Sequence, residues 1–149
     1  EYTVWLLERS IKTLFIRVQA QNNNAKLIAD FLENESWVER VYYPGLKNHP
    51  NHNIAKMQMK GFGGMLSFDL VPEIDSKKFL LGLDLIKPTI SLAGIESTAL
   101  SPSLTSHSLL TETERLSQGI TLQMIRLSAG IESIEDLKND LLQSIKKQN

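Results

Sequence analysis

At 149 residues the chain has the length of one ordinary domain, and its 42% apolar and 22% charged residues fit a folded globular protein and not a disordered one. Sixteen basic against seventeen acidic side chains leave a net charge of −1, so the charge balance gives no general pull toward nucleic acid or an anionic membrane. There is no cysteine, which excludes disulfides, thiolate metal sites and cysteine nucleophiles and fits a cytoplasmic protein, and no run of about 20 apolar residues is available to span a bilayer.

Along the chain, Val4, Leu7, Ile11, Leu14, Val18, Ala25, Ile28 and Leu32 recur at steps of three and four, interrupted only by Gln21. This spacing predicts one helix from about residue 3 to 33, roughly 45 Å long at 1.5 Å per residue, a length suited to buttressing a second domain. Its weakest part is the polar run "QAQNNN" (Gln19 to Asn24), where a kink or break is expected. The chain starts inside this helical pattern without a methionine, as a piece of a longer polypeptide would.

Val38 to Tyr43 is rich in strand formers and stops at Pro44-Gly45. A loop and a short helix ending at Gly61 follow, then the strand "GGMLSFDLV", with Met65, Ser67 and Asp69 on one face and Leu66, Phe68 and Leu70 on the other. Asp75 or Ser76 caps a helix through Leu83. "IKPTISLAG" is a short extended segment and "SPSLTSH" a loop. Thr111 and Glu114 form a capping box for a helix that stops at Gly119, and "QMIRLSAGI" is the last strand. Ser133 and Asp136 make a weaker box at the start of the closing helix. The expectation is an α/β domain with about four short strands and helices on one face.

Little of this carries chemistry. "GFGGML" places Leu66 where a dinucleotide-binding loop needs its third glycine, and it opens a strand instead of a helix. His49 and His52 have no evident third metal ligand, and a solvated loop accounts for them. Arg126 stands out as a permanent cation in an apolar-leaning strand, sharing a face with Met124 and Ser128. Its planar fork suits a carboxylate, and Ser91, at the end of an extended segment, offers a hydroxyl and an N–H for an oxyanion. On spacing alone, a surface ion pair for Arg126 and a turn cap for Ser91 account for the two residues better than an anion site does.

The ordered blocks "VYYPGL", "HPNHNIAKMQMKGFGGMLSFDL", "SLAGIES", "PSLTSH", "ERLSQGI" and "IRLSAGIES" resemble the C-terminal region of the Cys/Met-metabolism pyridoxal-phosphate enzymes, over nearly the whole chain. That family includes cystathionine γ-synthase, cystathionine β- and γ-lyases, methionine γ-lyase and O-acylhomoserine sulfhydrylases. The resemblance implies the C-terminal domain of an aspartate-aminotransferase-like fold, with residues 1–33 as the long inter-domain helix and 34–149 as the small α/β domain. It assigns Arg126 to the α-carboxylate of an amino-acid substrate and Ser91 to the same group. Ile90 stands where the γ-synthase and γ-lyase carry a glutamate that reads the distal part of the substrate. An apolar residue there shifts the expectation toward a β-lyase, a methionine γ-lyase or a sulfhydrylase. Ala93 replaces a glycine of the family's S-L-G-G segment. The family's M-T-H reads "TSH", which makes Ser106 a supporting hydroxyl and His107 a structural residue. Pyridoxal 5'-phosphate is implied for the intact enzyme, held by an upstream domain of the same polypeptide. Catalytic, cofactor-binding and metal-binding residues are expected to be lacking from this chain, and the intact enzyme is expected to be a homotetramer.

Overall fold

Five strands form one sheet in the computed structural model of the chain, which describes residues 1–148. Their spatial order is β1 (Val38–Tyr42), β2 (Met65–Leu70), β5 (Met124–Ser128), β4 (Thr98–Leu100) and β3 (Lys87–Pro88). All neighbours are antiparallel except β3 and β4, which run parallel. The helices are α1 (Tyr2–Ile11), α2 (Leu14–Leu32), α3 (His52–Gln58), α4 (Ser76–Gly82), α5 (Glu112–Ser117) and α6 (Ile134–Lys146).

Period-two alternation divides the sheet into two faces. Leu66, Phe68, Ile125, Leu127 and Ala99 face α2 and α6 and are essentially inaccessible. Ala25, Ile28, Ala29 and Leu32, spaced i, i+3, i+4, i+7, supply the α2 side of this layer, and Leu137 and Leu141 the α6 side. Trp37, Phe68 and Phe79 meet at centroid distances of 6.0 to 6.3 Å beneath the sheet, and the Trp37 indole N–H donates to Glu35. The opposite face carries Tyr42, Ser67, Arg126 and Leu100 in one row.

The expected long helix is divided, and at a different place. The break falls at Lys12–Thr13, where the Ser10 carbonyl is taken by side chains: Arg17 Nη2 donates to it at 2.7 Å and Thr13 Oγ1 at 3.4 Å. The polar run stays helical because it is a docking surface. Gln21 and Asn24 are buried, and Asn24 Nδ2 donates to the carbonyls of Gly130 (3.1 Å) and Glu132 (2.9 Å). Gly64 permits this approach, since a Cβ there would lie 3.1 Å from that of Gln21.

Other expectations also shift. Strand β4 adds a fifth strand within a stretch with no periodic signal, and only Lys87–Pro88 of the segment Ile86 to Gly94 pairs as a strand. Helix α3 ends at Gln58, three residues before Gly61. Asp75 caps α4 by accepting from the N–H groups of Lys77 and Lys78, and the Thr111–Glu114 box is complete. Ser133 sits at the N-cap of α6 without a side-chain cap bond, so the expected box is not formed there.

Asp140, buried in α6, ties α6 to the connection before β3. Its carboxylate accepts from the backbone N–H groups of Asp84 (2.8 Å), Leu85 (3.1 Å) and Ile86 (2.8 Å) and from Gln143. Burial on its own would raise its pKa, but these donors outweigh it and hold the carboxyl below the usual aspartate range. A group with a depressed folded pKa contributes stability above its unfolded pKa and loses it as pH falls through the folded value. Asp140→Asn is therefore expected to cost about 2 kcal/mol in a urea titration at pH 7, because an amide cannot accept all these N–H groups. The difference between variant and parent should shrink below about pH 4.

Candidate functional site

Arg126 lies at the centre of β5, between Ser67 of β2 and Leu100 of β4. Its Nη2 donates to the backbone carbonyl of Ile90 at 3.0 Å, with that of Ser91 at 3.5 Å, while its buried Nε has no partner. Among the described residues no carboxylate forms an ion pair with it. The guanidinium plane is thus anchored by neutral carbonyls, and no carboxylate among the described residues compensates its charge. Among the described residues Arg126 therefore makes no surface ion pair, and its planar fork is of the kind that suits a carboxylate.

The partner segment, Thr89 to Ile95, runs as a strap beside the end of β5. Thr89 N–H donates to Ala99 O, Thr98 Oγ1 donates to Ser91 O at 2.7 Å, and Ala93 N–H donates to Ser128 Oγ at 2.9 Å. At its far end Ile131 N–H donates to Ile95 O. Ser91 itself is exposed, with its backbone carbonyl 3.5 Å from Arg126 Nη2. Ile90 points its exposed side chain toward a cavity of about 380 Å³ at the sheet edge, lined also by Leu80, Leu100 and Leu104.

Thus Arg126, Ile90 and Ser91, separated by 35 and 36 residues, share one site. Ser106 is exposed on the loop after a 3-10 turn (Pro102–Leu104), with its hydroxyl 2.7 Å from His107 Nδ1. His107 closes that loop through its backbone N–H, which donates to Pro102 O at 2.9 Å. Sequence reasoning missed Thr98, Ser128 and Gln21, each of which holds the strap. Their common signal is a polar side chain at a buried strand or helix position, which periodicity treats as an interruption.

Farther along the same face, Tyr42 donates to Asp69 at 2.6 Å and Asp69 accepts also from Thr121. Burial, reinforced by the Asp69 bond, pushes the Tyr42 hydroxyl up to about 12 and keeps it a neutral donor.

Ala93 has φ +60°, the left-handed region that costs a side-chain-bearing residue roughly 1–2 kcal/mol. Ala93→Gly is expected to stabilise the chain by about 0.5–1 kcal/mol, part of the relief being offset by the freer unfolded chain. Denaturation midpoints of the two proteins check this.

No group of three metal-ligating side chains occurs among the described residues, and His52 Nδ1 instead lies 2.9 Å from Pro44 O. No lysine is buried: Lys138 is half-buried beside Phe31, and Lys87 is exposed and donates to Asp84 O. These residues do not fit a covalent aldehyde-holding site.

Residues 1–146 match the family described as Cys/Met metabolism PLP-dependent enzyme. The chain is 44% identical over 144 residues to a cystathionine beta-lyase of Lactococcus lactis subsp. cremoris (strain MG1363), covering 97% of this chain and 38% of that protein. It is 46% identical over 141 residues to a cystathionine gamma-lyase of Bacillus subtilis (strain 168), covering 95% and 37%. The crystal structure of cystathionine gamma-lyase from Lactobacillus plantarum complexed with L-serine superposes with a TM-score of 0.92 at 41% identity, covering 97% of this chain and 38% of that one. The chain therefore spans less than two fifths of the length of these relatives.

Proposed function

Because the chain belongs to the Cys/Met metabolism PLP-dependent enzyme family, we propose that it is the substrate-carboxylate-binding domain of a carbon–sulfur lyase acting on cystathionine, methionine or a related amino acid. The observation that carries this reading is the Arg126 guanidinium, which has no carboxylate partner among the described residues and is oriented by the Ile90 and Ser91 carbonyls. An α-carboxylate would satisfy that charge, and Ser91, exposed beside it, is the proposed second contact.

Pyridoxal phosphate supplies the electron sink of the family's chemistry. The lysines of this chain do not fit its covalent site, so its seat belongs to the portion that the relatives carry and this sequence lacks. What these residues contribute is positioning: a carboxylate held at fixed points orients the bonds around the α-carbon. Ile90 gives the distal end of the substrate an apolar neighbour, which favours a β-lyase or methionine γ-lyase over an enzyme that reads a distal charge.

The upstream domain is also the proposed cover for α1. Val4, Leu7, Ile11, Leu14 and Val18 form one stripe, each at least 41% exposed, and α1 buries no residue of its own. An apolar stripe of this length needs a partner, and a domain corresponding to the remaining length of the relatives is the one proposed. We place the intact enzyme in the cytoplasm as a homotetramer, in keeping with the absence of cysteine and with the family resemblance.

The test is to assay the full-length polypeptide for keto-acid release from cystathionine and from methionine. Release from either supports the lyase reading. Turnover only of an O-acylhomoserine with a sulfur nucleophile replaces it with the sulfhydrylase reading, and no turnover of any of these leaves a non-catalytic module.

A further inference from the structure

We infer that Gln21 is a positioning residue for the carboxylate site, tying the strap that carries Ile90 and Ser91 to helix α2; the inference rests on the carboxylate reading of Arg126. The strap has two kinds of anchor. Its inner part is fixed to the sheet through Thr98, Ser128 and Arg126. Its outer turn, Ala93–Gly94, is fixed from the helical layer by Gln21, whose Nε2 donates to Gly94 O at 2.7 Å and lies 3.5 Å from Ala93 O.

Three observations make this more than a packing contact. Gln21 is 8% exposed in a helix whose next buried face is Ala25, Ile28, Ala29 and Leu32, so a leucine would serve packing better than an amide that must be desolvated. Its Cβ stands where Gly64 allows the helix to approach within van der Waals contact, which fixes the amide relative to β2. The turn it holds contains Ala93 in the left-handed region, a conformation that persists only when its surroundings enforce it. Releasing the amide lets that turn relax, and the displacement passes along three residues to the Ser91 and Ile90 carbonyls that orient Arg126.

The experiment uses the full-length enzyme with Gln21→Leu and Gln21→Glu, and with Arg126→Lys as the control for the underlying reading. kcat and KM for the amino-acid substrate are measured with the melting temperature of each variant. Gln21→Glu keeps the shape and loses the donors when ionised, so it tests the hydrogen bond should Gln21→Leu fail to fold. The expected result is a KM raised about tenfold with kcat within about twofold of the parent, the signature of lost binding shared by ground and transition states. Unchanged KM in the Gln21 variants, with KM raised in Arg126→Lys, overturns the inference while leaving the carboxylate reading in place. A fall in kcat and melting temperature without a KM change assigns Gln21 to the fold alone and also overturns it. Unchanged KM in Arg126→Lys overturns the carboxylate reading and the inference with it.

Discussion

Arg126→Lys in the full-length enzyme is expected to raise KM for the amino-acid substrate on the order of 100-fold, equivalent to about 2–3 kcal/mol of lost binding. Lysine keeps the charge, so a site that needs only a positive potential would tolerate it. The geometry here requires more. One guanidinium nitrogen is already committed to the Ile90 carbonyl at 3.0 Å, and the proposed carboxylate would use the rest of the same rigid plane. An ammonium on a flexible stem cannot hold the strap and fork a carboxylate together. The substitution therefore removes a contact to substrate and the bond that sets its orientation. Steady-state kinetics with the melting temperature alongside check the result, because the half-buried, sheet-centred position of Arg126 makes some loss of stability expected as well.

Gly130→Ala is expected to be the most damaging small substitution, lowering stability by about 3 kcal/mol or more. A Cβ at Gly130 would stand 2.6 Å from the Ser97 nitrogen and closer still to the Ile95 carbonyl oxygen and Glu132 Oε2. Two of these atoms are backbone and cannot swing aside. The third belongs to a carboxylate already engaged by the N–H and hydroxyl of Ser97. Gly130 also donates to Ser97 Oγ at 2.8 Å, and its carbonyl accepts from Asn24, so the end of β5, the base of the strap and α2 converge on it. Urea denaturation gives the size of the loss. The convergence adds a second expectation: any folded Gly130→Ala protein should bind substrate less tightly, because Ile95 and Ser97 begin the segment that leads back to Ser91.

Much of this arrangement was legible in the sequence where one element declares itself locally. The alternation in β2 and β5 placed Leu66, Phe68, Ile125 and Leu127 in the core and Ser67 and Arg126 on the other face, and the caps at Asp75 and Thr111 formed as read. What failed depended on partners distant in sequence. Gln19 to Asn24 looked like a weak point because polar residues interrupt an apolar stripe, yet Gln21 and Asn24 meet carbonyls 73 and 106 residues away. The true break at Lys12–Thr13 comes from hydroxyl and guanidinium groups competing for one carbonyl, a local effect that apolar periodicity does not register. Strand β4, three buried residues between serines, is too short to show a period.

The candidate site divides the same way. Arg126 was conspicuous as a charge in an apolar strand, and the family resemblance supplied Ser91 and Ile90. The residues that hold them, Thr98, Ser128 and Gln21, became evident only once the chain was folded.

The most direct test of the carboxylate grip compares binding of an amino-acid substrate with its decarboxylated amine analogue, in parent and Arg126→Ala full-length enzyme. The account predicts that the parent prefers the amino acid on the order of 100-fold and that Arg126→Ala abolishes most of this preference while binding the amine almost unchanged. A preference that survives in Arg126→Ala would contradict it and move the carboxylate to another residue.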